Sequence, residues 1–76
     1  MSEGSGRVPL EYMRVAESIA AKISSGELLP GDRLRSEPDL ADEYQVSYGT
    51  IRRAMKELRG RGLIQTAWGK GNIVCG

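Results

Sequence analysis

Tyr12, Val15, Ala16, Ile19, Ala20 and Ile23 fall at the spacing i, i+3, i+4, i+7, i+8 and i+11, a pattern that no strand reproduces. On a helix they form one continuous apolar stripe, with Glu11, Arg14, Glu17, Ser18 and Lys22 outside it. Pro9 suits a first turn, where its missing N–H costs nothing. Gly26, following Ser24 and Ser25, is a stop signal. The spacing predicts a first helix over residues 10–25, preceded by a short flexible tail over residues 1–9. Such a stripe has to be buried against a partner element, and a chain of 76 residues has room for one small domain only.

The partner elements follow in order. Leu29-Pro30-Gly31-Asp32 suits a type II turn, with Gly31 supplying the positive φ, and Arg33-Leu34 reads as a very short strand. Ser36-Glu37-Pro38-Asp39 is a capping-box pattern opening a second helix of about two turns, whose apolar face is Leu40, Ala41 and Tyr44. Gln45-Val46-Ser47 is a brief connection with Ser47 as the next N-cap. A third helix then buries Ile51, Ala54, Met55 and Leu58 and turns Gly49, Arg52, Arg53 and Lys56 outward, with Arg59 at the margin. Two β-prone runs, residues 63–67 and 72–75, flank Trp68-Gly69-Lys70-Gly71 and read as a hairpin. Helix, three-residue turn and helix is a helix-turn-helix layout. With the terminal hairpin, the expected fold is mainly α with a small β-hairpin, a three-helix winged helix-turn-helix spanning residues 10–75.

Composition removes several alternatives. The chain has no His and a single Cys, so zinc fingers, disulfide scaffolds and His-dependent hydrolases are excluded. No apolar run approaches the ~18 residues of a membrane span, and the N-terminus lacks a signal-peptide pattern. A cytoplasmic protein is expected, with no cofactor, no metal and no enzymatic role. The net charge of +1 is uninformative, but its distribution is not. Residues 1–45 carry a balance of −4, whereas residues 46–76 carry Arg52, Arg53, Lys56, Arg59, Arg61 and Lys70 against Glu57 alone. A chain polarised in this way suits an anionic partner at its C-terminal half.

The candidate contact residues follow from that geometry. The free N–H groups and dipole at the start of the third helix favour a phosphate near Ser47, Tyr48, Gly49 and Thr50. Gly49 faces outward where Ala would be more stable by about 1 kcal/mol; it either lets another surface approach closely or is merely tolerated. Thr50 supports the helix start or reaches a phosphate. Arg52 is placed to read a guanine edge in a major groove or to clamp a phosphate, while Arg53 and Lys56 suit phosphates. Trp68, Gly69 and Lys70 form a cationic loop tip able to enter a minor groove or track a backbone. Trp68 has an alternative, packing under the wing against the third helix. Tyr48 falls between core and contact surface.

Residues 12–74 resemble the N-terminal DNA-binding domain of the GntR family of bacterial transcription regulators. The resemblance rests on Ser25-Gly26, Leu29-Pro30-Gly31-Asp32-Arg33-Leu34, Ser36-Glu37 and Leu40-Ala41. It continues through Val46-Ser47, Thr50-Ile51-Arg52, Ala54, Leu58, Gly62-Leu63-Ile64 and Gly69-Lys70-Gly71. It implies that Arg52 and Gly69 occupy DNA-contacting positions, Gly69 at a wing tip that meets the minor groove. The chain departs from the family pattern at three places. Arg35 stands where Pro is usual and adds a cation beside Ser36. Pro38 and Tyr48 each stand where many members carry a DNA-contacting Arg.

The function implied is sequence-specific binding of double-stranded operator DNA, with the third helix in the major groove and the wing at the minor groove, more often for repression. A homodimer on a pseudo-palindromic site is expected, with the protein associated with the nucleoid when bound. Family members usually continue into an effector-binding and dimerisation domain. The chain therefore reads as an excised domain or a short member, and a small-molecule effector applies only if a C-terminal domain exists outside it. The alternative function is a winged-helix protein-interaction module without DNA binding.

Overall fold

The computed structural model describes residues 7–75, with side chains from residue 11 onward. Three helices, α1 (Arg7–Ser24), α2 (Glu37–Tyr44) and α3 (Tyr48–Gly60), precede an antiparallel hairpin of β1 (Ile64–Ala67) and β2 (Gly71–Val74). The fold is the expected three-helix winged helix-turn-helix. Helix α1 begins at Arg7, three residues ahead of the expected boundary, so residues 7–9 belong to the helix and not to a tail. Pro9 then lies in its first turn, where the first N–H groups have no intrahelical acceptor anyway. The remainder of the expected tail, residues 1–6, lies outside the described residues.

Both predicted serine caps are made. Ser36 Oγ accepts from the Asp39 N–H at 3.2 Å and Ser47 Oγ from the Thr50 N–H at 3.1 Å. Each satisfies one orphan donor of a helix start. Between them, Gln45 closes α2 in the left-handed region at φ 58°, its N–H directed to the Ala41 and Asp42 carbonyls.

The core is one cluster: Val15, Ala16 and Ile19 from α1, Leu34 from the α1–α2 connector, Leu40 from α2, all four inward residues of α3, and Ile64 and Val74 from the hairpin. Ile51, Met55 and Leu58 are fully buried. At about 1.5–3 kcal/mol for each large apolar side chain removed from water, α3 is the element around which the others assemble. Its inner face is committed to packing, and its outer face is left to solvent.

The wing is held from both sides. Strand β2 pairs with β1 in the register Ile64↔Val74 to Ala67↔Gly71. On its other edge the α1–α2 connector adds a bridge, Arg33↔Ile73. Gly31 N–H donates to the Val74 carbonyl, Val74 N–H to that of Asp32, and Leu34 N–H to that of Asn72, each at 2.9 Å. The expected short strand at Arg33-Leu34 is thus a single bridge, and its turn is formed with Gly31 at φ 92°. The wing loop has three residues, not four. Gly71, at φ 78°, enters the ladder opposite Ala67 and closes it one residue earlier than the β-propensities suggest. Among the described residues no helix is long and apolar enough to cross a membrane.

Candidate functional site

The helix-turn-helix and the wing enclose an open groove of about 810 Å³, lined by the start of α2, one flank of α3 and both wing strands. Of the candidate residues, Arg35, Ser36, Tyr48, Arg52 and Lys70 line it. Arg33 and Arg59 line it as well, and neither is among the residues the sequence singled out. Arg59 follows Arg52 by seven positions, two helical turns, and that spacing is a signal that could have found it. Arg33 reaches the groove only because its segment pairs with β2, a long-range event with no local signature.

The remaining candidates lie outside this groove. Arg53 and Lys56 line a separate cleft beside α1 with Tyr12, Glu57, Gly60 and Arg61. There the Arg53 guanidinium stands 4.6 Å from the Tyr12 ring centroid, a cation–π geometry that holds the charge against α1. Ser47, Gly49 and Thr50 form the start of α3. Trp68 and Gly69 form the wing tip, where Trp68 is 99% exposed. The alternative in which Trp68 packs beneath the wing is overturned: β1 ends at Ala67, and the tip projects the next side chain into solvent. The sequence places Tyr48 between core and contact surface; at 48% exposed and outside the core cluster it is a surface side chain, its ring 5.8 Å from the Arg52 guanidinium carbon.

The two helix starts differ in what they offer an anion. Helix α2 has Glu37 and Asp39 in its first turn and Pro38 removing a donor. Helix α3 has no acidic residue in its first turn. Its Thr50 N–H is capped and Ile51 N–H already bonds the Ser47 carbonyl at 3.2 Å. The N–H groups of Tyr48 and Gly49 therefore point out of the helix end with the positive end of its dipole. A Cβ added at Gly49 would meet only Ser47 Oγ at 4.0 Å, and one at Gly60 nothing within 4 Å. Internal packing requires neither glycine.

The charges separate into paired and unpaired groups. Arg61 is bound by Glu17 at 2.7 Å and Glu57 at 2.8 Å. Hydrogen bonding to Arg61, then its charge, holds the Glu17 carboxyl below the ordinary glutamate range, and the two carboxylates raise the Arg61 pKa. Arg35 reaches Glu43 at 3.5 Å with its side chain 67% exposed. Among the described residues no carboxylate lies within ion-pair distance of Arg33, Arg52, Arg53, Lys56, Arg59 or Lys70. The surface around α3 and the wing is accordingly cationic, whereas Arg61, counted with the basic half of the sequence, is used internally.

Residues 11–74 match the model of a family described as bacterial regulatory proteins, gntR family. The HTH-type transcriptional regulator SmoD of Agrobacterium fabrum is 34% identical over 97% of this chain and 31% of its own length. The mannosyl-D-glycerate transport/metabolism system repressor MngR of Escherichia coli is 38% identical over 91% of this chain and 28% of its own. The chain thus spans about a third of the length of the relatives it matches. Among solved structures, AraR(DBD) in complex with operator ORR3 superposes with a TM-score of 0.83. It is 32% identical and the match covers 99% of this chain and 90% of that one.

Proposed function

The chain belongs to the gntR family of bacterial regulatory proteins, and from that premise we propose that it binds double-stranded operator DNA through α3 and the wing. The observation carrying this reading is the coincidence, on one side of α3, of uncompensated cations, an uncapped pair of N–H groups and two glycines that packing does not require. The solved structure of a related domain in complex with its operator supports it.

Helix α3 enters the major groove with Gly49 and Lys56 at its leading edge. Gly49 permits the backbone to approach, and the N–H groups of Tyr48 and Gly49 meet a phosphate, with Ser47 and Thr50 beside them. Arg52 reads a base edge, steadied by the Tyr48 ring. Arg53 and Lys56 face backbone phosphates on the α1 side. Trp68, Gly69 and Lys70 reach the adjacent minor groove, while Arg35 and Ser36 flank the cleft between them. The role is regulatory and non-catalytic: a bound domain occludes a promoter. Two copies occupy a two-fold site, and any effector acts through chain outside these residues. The setting is the cytoplasm, at the nucleoid when bound.

Fluorescence anisotropy with labelled duplexes tests the proposal. The expected result is binding at low salt that weakens steeply as salt rises, because phosphate contacts release counterions. No binding to any duplex at low salt overturns it in favour of a protein-interaction module.

A further inference from the structure

Four side chains from four elements meet on the floor of the groove. Arg59 Nη1 donates to Thr66 Oγ1 at 3.2 Å and to Asn72 Oδ1 at 3.4 Å. Thr66 Oγ1 donates to the same Asn72 Oδ1 at 3.0 Å, and Asn72 Nδ2 donates to Glu37 Oε2 at 3.3 Å. Asn72 is only 7% exposed. Its orientation is fixed by these partners, since two donors require its oxygen and a carboxylate requires its amide hydrogens.

Two consequences follow for Arg59. Both hydrogens on Nη1 are engaged, whereas Nε–H and the Nη2 hydrogens have no partner among the described residues. Those free donors form the edge that meets a phosphate in a bidentate pair. The Asn72 amide also stands between the guanidinium and Glu37, so the carboxylate does not neutralise the charge. Bracing Thr66 and Asn72 needs only a neutral donor. A full positive charge adds repulsion with Arg52 and Lys70, which line the same groove. A bound polyanion relieves that repulsion.

We infer that Arg59 is a ligand for a DNA backbone phosphate, preorganised by Asn72 and Thr66, and that it couples α3 and the wing to one stretch of duplex backbone. This rests on the reading of the α3 and wing face as a DNA surface. Asn72 and Thr66 act through Arg59 as positioning residues.

The test compares wild type, Arg59→Gln and Arg59→Lys on labelled duplexes of mixed sequence across a salt series, with circular dichroism confirming the fold. Arg59→Gln is expected to weaken binding uniformly across sequences and to make the slope of log K against log salt shallower by about one. Arg59→Lys keeps the slope, because it keeps the charge. In wild type, NMR of the arginine Nε–H groups requires no variant to fold. The Arg59 signal is expected to shift and to exchange more slowly with water when duplex is added. A wild-type slope in Arg59→Gln, or an unmoved Arg59 signal while backbone signals of α3 shift, overturns this inference and leaves the DNA reading intact. Absence of wild-type binding at low salt overturns both.

Discussion

Arg61 at the C-terminal end of α3 donates from Nη2 to Glu17 Oε2 on α1 at 2.7 Å, and from Nε to Glu57 at 2.8 Å. The pair ties the end of α3 to the outer face of α1, the helix against which α3 packs. It also takes one cation out of the basic half of the sequence. The surface left for an anionic partner is therefore smaller, and more sharply located, than the charge count implies.

This pairing has a pH signature. The folded Glu17 carboxyl titrates below its ordinary range because Arg61 bonds to it and attracts its charge. A depressed carboxyl contributes stability above the unfolded-state pKa and loses it as pH falls through the folded value. Urea denaturation across a pH series is expected to show wild type more stable than Glu17→Gln at neutral pH, with the gap closing below the usual glutamate range. The difference is small, because both groups are exposed and screened. A gap independent of pH contradicts the ion-pair account.

Gly49→Ala is expected to move stability and DNA affinity in opposite directions. The added methyl meets only Ser47 Oγ at 4.0 Å, so α3 gains helix propensity of up to about 1 kcal/mol. The same methyl stands where the backbone is proposed to approach DNA, and affinity falls. Thermal unfolding and anisotropy on one preparation check both signs. Unchanged affinity removes Gly49 from the contact surface.

Arg52→Ala is expected to weaken operator binding by about 1–3 kcal/mol and to relax preference at one base position. Stability stays within about 0.5 kcal/mol, because the side chain is exposed. Selection of binding sites by the two proteins from a random duplex pool checks it. A loss uniform over all sequences makes Arg52 a phosphate contact, and no loss at all contradicts the placement of α3 in the groove.

Much of this arrangement is legible in the sequence. The apolar spacing of α1 and α3 and the two serine caps are local signals, set by helical period and by orphan N–H groups. They survived into the structure because the tertiary packing agrees with them. The sequence did not show what joins distant segments. Arg59 reads from the sequence as a marginal surface charge, since Thr66 and Asn72 reach it, and Glu37 reaches Asn72, only after four elements have assembled. Arg53 was legible as outward-facing, but its Tyr12 partner sits on another helix. Gln45 in a left-handed conformation has no signature either, because glycine or asparagine is the usual residue there. The limits of the hairpin shifted by one residue because Gly71, a weak strand former, is recruited by pairing with Ala67.

The wing tip carries its own reporter. Trp68 is the only tryptophan of the chain and is 99% exposed. Trp68→Ala is expected to change stability by less than about 0.5 kcal/mol while weakening DNA binding. In wild type, its fluorescence should shift toward that of a less hydrated indole when duplex is added. Unchanged emission at saturating duplex places the wing tip away from DNA.

The most direct test of the central claim is a backbone NMR titration of the chain with duplex DNA at low and moderate salt. Perturbations concentrated in residues 47–56 and 68–71, fading as salt rises, are the predicted result. Saturating binding with those residues unmoved, or no perturbation at low salt, would contradict the account that α3 and the wing form the DNA surface.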